Sequence, residues 1–385
     1  MHSMTQDDVL VVGGVDSHAD THHAAALDSR GALLATKSFP TTTPGYRDLL
    51  SWLRGFGTVE VVAIESTGSY AAGLVRYLRE HDVGVLEVNQ PHAHTRRRRG
   101  KSDPIDAEMA ARLALTGKAT AIPKRTDGIV EAIRQLRVAR ESAVKARRAA
   151  TVQLGELIIT APQELRDQLA CRKTLVGKAS LCRRLRPALD DLSSPSQAAK
   201  FALRSIAGRI ADLDAEIDAL DRQLRPLVQA AAPRTMQLFG ISTCHAGQLL
   251  VTAGQNIERL TGEPAFAALC GASPVPASSG KTTRHRLNHG GDRDANRTLY
   301  MVAVCRLRFC ERTRAYAERR TAEGKNKREI IRCLKRYIAR ETYHTLLADL
   351  TALQAPAPPA PPPRPRAVTT IHCGGFGAST SRRRT

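Results

Sequence analysis

After eight residues the chain enters the stretch Val9-Leu10-Val11-Val12-Gly13-Gly14-Val15-Asp16, an apolar run that ends in a carboxylate. A run of this kind is typical of a strand that is buried on both faces. Two shorter apolar segments follow, His22 to Leu27 and Ala32 to Phe39, and the turn-forming residues 28–31 join them. We therefore expect the chain to begin with an antiparallel meander of three strands.

The next segments alternate between helical and extended patterns up to about residue 120. The expected elements are a helix from Tyr46 to Arg54, a strand from Val59 to Ile64, a helix from Gly73 to Glu80, a strand from Val83 to Val88 and a helix from Asp103 to Leu115. Three strands, a helix, and then alternating strands and helices is the order of an α/β ribonuclease-H-like domain. Residues 1–120 are predicted to form that domain.

Four acidic residues stand at positions where this fold could bring them together. Asp16 and Glu65 each follow a buried strand, and the functional crevice of an α/β sheet lies at the strand ends. Asp103 and Asp106 project from one side of the first turn of the last helix, where Asp103 could also act as the cap. Taken singly, these are ordinary capping or solvent-facing acids. Converging on one point, the four carboxylates would bind Mg²⁺, and two such ions could fit.

The charge of the chain is unevenly distributed. The net charge is +21 and the isoelectric point is near 10.2, which indicates a polyanionic partner. Residues 1–125 contain 15 Lys and Arg against 14 Asp and Glu, whereas the remaining residues contain 43 against 23. The pattern predicts chemistry in a neutral N-terminal domain and nucleic-acid binding in the basic remainder.

Basic residues concentrate in two segments. The run at residues 96–99 precedes the acidic helix and is either a solvated loop or a clamp on a phosphate backbone. From residue 281 to residue 340 there are 18 Lys and Arg against 6 Asp and Glu, several on helices whose other face is apolar. The candidate nucleic-acid contacts are Arg96, Arg97, Arg98, Arg99, Lys281, Arg284, Arg286, Arg293, Arg297, Lys327, Arg328, Lys335 and Arg336.

The middle of the chain, residues 126–232, reads as long helices. A heptad seam runs through Leu203, Ile206, Ile210, Leu213, Ile217, Leu220, Leu224 and Leu227, which predicts a coiled-coil arm. An earlier helix from Ile129 to Ile158 carries a weaker seam. The two helices could form an intramolecular bundle or a dimerising arm, and the pattern does not choose between them. Residues 233–350 are expected to form a mostly α-helical domain, and residues 351–385 a disordered Pro/Arg-rich tail.

One loop in the C-terminal domain is too rich in Pro, Ser and Gly to be helical. It spans residues 270–281 and contains Ser278-Ser279-Gly280-Lys281. A serine before glycine on an exposed turn can approach a phosphate, but it needs a metal or a neighbouring base for activation. A polar loop without chemistry is the alternative that the residues leave open.

Other features limit the class of protein. The eight cysteines form no Cys-x-x-Cys pair, so a reduced cytoplasmic protein is expected rather than a zinc or disulfide framework. No apolar run is long enough for a membrane span, so no membrane partner is expected.

Five motifs, in the same order, resemble the transposases of the insertion-sequence one-ten family, which combine a RuvC-like domain with a catalytic-serine domain. The resemblance covers roughly residues 9–345. The motifs are Gly14-Val15-Asp16-Ser17-His18, Ala63-Ile64-Glu65-Ser66-Thr67-Gly68, Lys101-Ser102-Asp103-Pro104-Ile105-Asp106-Ala107, Ser278-Ser279-Gly280-Lys281 and Gly291-Asp292-Arg293-Asp294-Ala295-Asn296-Arg297.

The resemblance implies a DNA transposase that moves its own element. Asp16, Glu65, Asp103 and Asp106 would form the acidic metal site, and Ser279 would be the nucleophile that becomes linked to DNA, with Ser278 as the adjacent alternative. It also implies double-stranded DNA at the element ends and target, a structured guide RNA, and a homo-oligomer in which the acidic site of one subunit works with the serine of another.

Two other functions remain open on the sequence. A RuvC-like structure-specific nuclease would use metal-activated water alone, with the C-terminal domain as a DNA clamp. A non-catalytic nucleic-acid-binding protein would need none of the acids, and the presence of all four argues against it.

Overall fold

The structure is a computed structural model that describes residues 10–88, 102–278, 280, 285–286 and 288–354. Several predictions therefore concern residues outside the described ones. These are the basic run Arg96, Arg97, Arg98 and Arg99, the candidate nucleophile Ser279, the basic residues Lys281 and Arg284, and the tail from residue 355 onward.

The N-terminal domain is built on a five-stranded mixed sheet. Its strands are β1 (Leu10–Ser17), β2 (Thr21–Asp28), β3 (Leu33–Pro40), β4 (Thr58–Glu65) and β5 (Gly84–Val88). The order across the sheet is β3-β2-β1-β4-β5, with β1, β2 and β3 antiparallel and β1, β4 and β5 parallel. This is a RuvC-like arrangement, and the predicted α/β class is confirmed.

Helices cover both faces of this sheet. One face packs against α1 (Thr43–Arg54) and α2 (Ala72–Glu80) through a core that includes Leu49, Leu74 and Ile64. Helix α1 begins at the Thr42 cap, whose hydroxyl accepts from the Gly45 amide. The opposite face packs against α3 (Asp103–Leu115). The acidic helix therefore lies directly on the central strands.

The middle of the chain is a helical hairpin. Its long helices are α4 (Ile129–Thr160) and α7 (Pro195–Ala231), and α5 (Gln163–Ala170) and α6 (Leu175–Cys182) lie at its far end. The pairs Arg140–Asp221 and Arg147–Asp214 show that α4 and α7 run antiparallel. The hairpin is intramolecular, as one of the two open interpretations expected, while a coiled coil that dimerises stays a prediction.

The C-terminal region is helical apart from a short ribbon. Its helices are α8 (Pro233–Met236), α9 (Thr243–Ala253), α10 (Glu263–Leu269), α11 (Arg293–Phe309), α12 (Glu311–Ala322) and α13 (Lys327–Gln354). Between α10 and α11, β6 (Val275–Pro276) pairs with β7 (His285–Arg286). Helix α13 continues to Gln354, so the first four residues of the expected tail are helical.

The base of the hairpin shares a hydrophobic core with the C-terminal helices. Ile133 of α4 and Leu224 of α7 belong to the same buried cluster as Leu299 of α11 and Ile338 of α13. The far end of the hairpin has its own buried cluster, which includes Leu154, Leu165 and Leu203. None of the helices among the described residues is both long and apolar enough to cross a membrane.

Candidate active site

Two of the predicted carboxylates lie at neighbouring strand ends. Val15 of β1 is in register with Ile64 of β4, so Asp16 and Glu65 occupy the next position on each parallel strand. The Ser17 hydroxyl donates a hydrogen bond of 2.9 Å to the Glu65 carbonyl and ties the two ends together. Residues two apart on a strand lie on the same face of the sheet. Gly14 lies on the face that packs against α3, so the side chain of Asp16 projects toward α3 as well.

Gly14 allows α3 to reach this face. A Cβ atom at Gly14 would lie 2.1 Å from the Ala107 carbonyl oxygen and 2.5 Å from the Ala111 nitrogen. The backbone of α3 therefore packs on β1 at a distance that only glycine permits. This contact brings Asp106, which is 3 % exposed, and Asp103 to the end of β1 beside Asp16.

Asp103 does not cap its helix. Ser102 is the N-cap residue, Asp103 is the first helical residue, and no side-chain capping bond is formed. The carboxylate of Asp103 instead faces two histidines. Its Oδ1 lies 3.5 Å from Nε2 of His18, and its Oδ2 lies 3.2 Å from Nε2 of His23. The capping prediction for Asp103 is therefore wrong, because its side chain contacts His18, in the loop after β1, and His23 of β2.

The site also contains His18, which the sequence-based prediction missed. Its Nε2 lies 3.2 Å from Oδ2 of Asp16, and ligand atoms of Asp16, His18 and Asp103 all lie within 4.8 Å of one another. The signal was present in the sequence, because an Asp-x-His spacing puts both side chains on one side of an extended chain.

The electrostatics of Asp16 fit a cation site. Burial raises the pKa of the Asp16 carboxyl, the nearby His18 lowers it, and the charges of Asp106 and Asp103 raise it again. Buried carboxylates that repel one another are stabilised when a cation binds between them. Oxygen donors with one imidazole are also a suitable ligand set for a divalent ion. The cluster indicates a divalent metal site.

The candidate serine loop, residues 270–281, includes strand β6 of the short ribbon. Val275 pairs with Arg286 and Pro276 with His285. Ser278 and Gly280 are exposed, and Gly280 has a φ of +54°. Neither Ser278 nor Gly280 is helical, as predicted, and Ser279 lies outside the described residues.

Asn296 organises the approach to this loop. Its Nδ2 donates hydrogen bonds to the carbonyls of Cys270 (3.1 Å) and Gly271 (2.7 Å), and its Oδ1 accepts one of 2.8 Å from Nζ of Lys335. Gly291 packs so closely on Gly271 that a Cβ there would lie 2.3 Å from the Gly271 nitrogen. Asn296 was quoted as part of a motif, but no role was predicted for it.

A cavity of about 720 Å³ opens beside the ribbon. Three predicted nucleic-acid contacts line it, together with two basic residues that were not predicted. The five are Arg286, Lys325, Arg332, Lys335 and Arg336. Lys335 is buried, and burial lowers the pKa of its ammonium group. Arg336 pairs with Glu263.

The other predicted contacts that the structure describes lie outside this cavity. Arg293 is exposed at the first position of α11, and Lys327 and Arg328 are exposed at the start of α13. Arg297 is exposed too, but it pairs with Glu141 of the hairpin at 2.7 Å. The structure therefore divides the predicted basic residues among separate surfaces.

The fold and the acidic site are those of a RuvC-like nucleic-acid-processing domain joined to a helical second domain. Residues 13–159 match the family model of the DEDD transposases of IS110, and residues 232–318 match that of the transposase IS116/IS110/IS902 family. The chain belongs to the IS110 family of transposases. It is therefore a DNA-binding, DNA-recombining enzyme of an insertion sequence. No curated protein matches it significantly.

Proposed function

We propose that this transposase excises and inserts its own element by combining the acidic cluster with the serine of the β6–β7 loop. The observation that carries the proposal is the convergence of Asp16, Asp103 and Asp106, with His18, at the ends of the central strands. Glu65 stands on the adjacent strand end and would be the fourth carboxylate of the set.

Asp16, Glu65, Asp103 and Asp106 would hold Mg²⁺. The hard cation prefers carboxylate oxygens, and these side chains provide them on one face of the sheet. When bound, the ion would position a phosphate and stabilise the negative charge that develops during phosphoryl transfer. Asp16 is buried, whereas the side chains of Asp103 and His18 are 40 % and 46 % exposed, so a phosphate could reach the cluster from solvent.

Ser279 would be the nucleophile. Its Oγ would bond to phosphorus, its proton would pass to a base, and one phosphorus–oxygen bond of the DNA backbone would break to leave a sugar hydroxyl. Because the phosphoserine ester replaces one phosphate ester with another, a sugar hydroxyl of a second strand could reverse the reaction and join new ends. The basic cavity beside the ribbon, with Arg286 and Lys335, supplies cations for the phosphate.

A structured guide RNA and a homo-oligomer complete the proposal. The family resemblance implies the RNA, and the excess of positive charge after residue 125 is consistent with a second polyanion. Apolar side chains stand exposed along the hairpin, among them Val138, Val152 and Ile159, at 57 %, 52 % and 70 % exposure. A second subunit would cover them and bring its own acidic site to the serine.

The test of the nucleophile uses a nicked element-end duplex as a suicide substrate. The wild-type protein should form a covalent adduct that survives denaturing electrophoresis. Ser279→Ala should remove the adduct, and the matched Ser278→Ala should retain it. An adduct that persists in both variants would show that neither serine is the nucleophile.

The acidic site and the oligomer are tested with Asp106→Asn. This variant should lose Mg²⁺-dependent cleavage while its salt-sensitive DNA binding stays nearly intact. Mixing it with Ser279→Ala should restore cleavage if the acidic site and the serine act from different subunits.

Ribonuclease treatment should abolish site-specific cleavage, and a transcript of the element's non-coding end should restore it.

The acidic cluster also supports a second candidate, a RuvC-like nuclease that uses metal-activated water. Its carboxylates lie within one N-terminal domain and could cut DNA without the serine loop. Under that mechanism Ser279→Ala would still cut DNA, and the products would be free hydrolysed ends.

A further inference from the structure

A second cavity, of about 520 Å³, lies where the RuvC-like domain meets the helical region. Its walls are the loop at residues 67–69, the first turns of α2 and α4, the segment at residues 124–126, and the short 3₁₀ turn Ile257–Arg259. This loop begins two residues after Glu65. Ser66, between them, has a left-handed φ of 58° and turns the chain at the end of β4. The cavity therefore adjoins the acidic site but uses different residues.

Five basic side chains line this cavity, against two acidic ones. Arg125 and Arg134 are engaged by carboxylates of Asp127 and Glu131. The other three, Arg76, Lys124 and Arg259, have no carboxylate within salt-bridge distance among the described residues.

The three cations without a carboxylate differ in what they do contact. Arg76 donates to the Thr126 hydroxyl at 3.3 Å, and Lys124 donates to the Val251 carbonyl at 2.8 Å. Nη1 of Arg259 is buried and has no hydrogen-bond partner in the described part of the chain. A buried guanidinium nitrogen without a partner is costly unless a ligand satisfies it.

The charges around this cavity favour the binding of an anion. Burial lowers the pKa of both Lys124 and Arg259, and the two cations also repel each other. The carboxylates that act on these two cations are Asp292 and Glu87 for Lys124, and Glu87 and Glu258 for Arg259. The Glu87 carboxylate already accepts a hydrogen bond of 2.7 Å from the Thr67 hydroxyl. An anion between the cations would remove their repulsion and supply the partner that Arg259 lacks.

The lining also defines the class of anion. Among the described residues no aromatic side chain lines the cavity, so they provide no stacking on nucleobases. Guanidinium groups and an ammonium group are donors suited to phosphate oxygens. The cavity is open to the loop beside Glu65, along which a strand held at the acidic site could continue.

We propose that this cavity is a phosphate-binding site for the backbone of a nucleic-acid strand that enters or leaves the acidic site. The backbone phosphates of DNA and of RNA offer the same chemistry there. The proposal rests on the nucleic-acid binding of the family and not on the serine mechanism, so failure of the Ser279 adduct would leave it untouched.

The test measures the salt dependence of binding to 20-nucleotide single strands of DNA and of RNA with the same sequence. Each lost phosphate contact flattens the slope of log K against log salt by about 0.7 for single strands. Arg76→Gln with Arg259→Gln should therefore flatten the slope by about 1.4 for the strand that uses the cavity. Arg76→Lys with Arg259→Lys should retain most of the wild-type slope.

The matched control is Arg30→Gln with Arg47→Gln, which removes two charges from exposed positions on other parts of the domain. It should leave the slope unchanged. Flattening with DNA alone, with RNA alone or with both would support the cavity and identify the strand. A wild-type slope in the folded glutamine variant with both strands would overturn the proposal.

A crosslinking measurement keeps the proposal testable if the glutamine variant fails to fold. Photo-reactive p-benzoylphenylalanine in place of Ser69, at the cavity, should crosslink to the bound strand. The same group in place of the exposed Ser29 should not. Equal crosslinking at the two positions, or none at Ser69, would contradict the proposal.

Discussion

Nζ of Lys335 donates a hydrogen bond of 2.8 Å to Oδ1 of Asn296, while Nδ2 of the same Asn296 holds the carbonyls of Cys270 and Gly271. One amide thus connects the basic helix α13 to the start of the serine loop. Lys335 is buried, so its charge depends on this contact and on the adjoining cavity.

Asn296→Ala should reduce the rate of adduct formation on the suicide substrate by about a hundredfold. The substitution leaves the buried Lys335 ammonium and two carbonyls without their partner, at a cost of about 1–3 kcal/mol for each group. Asn296→Asp is the informative companion, because it keeps an acceptor for Lys335 and removes the donors. If both variants form the adduct at the wild-type rate, Asn296 does not position the loop.

Gly14→Ala should separate α3 from β1 and disable the acidic site. The new Cβ would overlap the Ala107 backbone, and overpacking of this kind costs about 1–3 kcal/mol or more. Metal affinity, measured by calorimetry, should fall together with the free energy of unfolding.

Gly13→Ala is the matched control for that substitution. Its Cβ would meet only side-chain carbons of Leu53 and Val62, at 3.1 Å, which can move slightly. We expect near-normal metal binding. Equal losses of metal affinity in the two variants would contradict the assigned role of the Gly14 contact.

His18→Asn should change which divalent ion the site prefers. The imidazole lies between Asp16 and Asp103, and a nitrogen ligand favours transition metals such as Co²⁺ over Mg²⁺. In calorimetric titrations, Co²⁺ affinity should fall about tenfold or more while Mg²⁺ affinity changes little. Parallel changes for the two ions would mean that His18 only neutralises the carboxylates.

His22 should make the domain sensitive to acid. The ring is fully buried and stacked on Tyr46 at 5.7 Å, and both of its nitrogens lack a partner among the described residues. Burial lowers its pKa from 6.5 to about 4. As the pH falls, His22 therefore binds a proton in the unfolded chain before it does so in the folded one. His22 leaves the free energy of unfolding unchanged above pH 6.5 and lowers it as the pH falls from 6.5 toward 4.

Across this pH range the loss amounts to roughly 3 kcal/mol. His22→Phe, which can keep the stack on Tyr46, should remove this part of the pH dependence in chemical denaturation. Replacement of the exposed His81 by Phe should not. An unchanged pH profile in His22→Phe would refute the assignment.

The sheet and its acids were predictable from the sequence because the information is local. Apolar runs define the strands, and Asp16 and Glu65 follow them directly. The helix at residues 103–115 was predicted with its observed boundaries. Side-chain orientation was not predictable in the same way. Asp103 suits a cap by sequence, yet contacts with His18, in the loop after β1, and His23 of β2 determine where its side chain points.

Other features depend on segments far apart in sequence. The cavity around Arg259 needs residues separated by almost 200 positions, and no single one of them forms a motif. Asn296 connects two segments only because the fold brings residue 271 and residue 335 within hydrogen-bond distance of its side chain. The heptad seam predicted the long helices, but periodicity could not reveal that their partner is in the same chain.

Because of the shared core at the base of the hairpin, the C-terminal domain that carries the serine loop is built from segments that are not continuous in sequence. Ile133 and Leu224 complete its interior, so a fragment that starts at residue 233 would expose the apolar surfaces they cover. The outer hairpin, with its separate cluster around Leu154 and Leu203, is then an insertion between two halves of one folding unit. The outer hairpin could be longer or shorter by the same number of turns in both helices while the serine loop stays in place. Related transposases could therefore have hairpins of different length on the same catalytic domains.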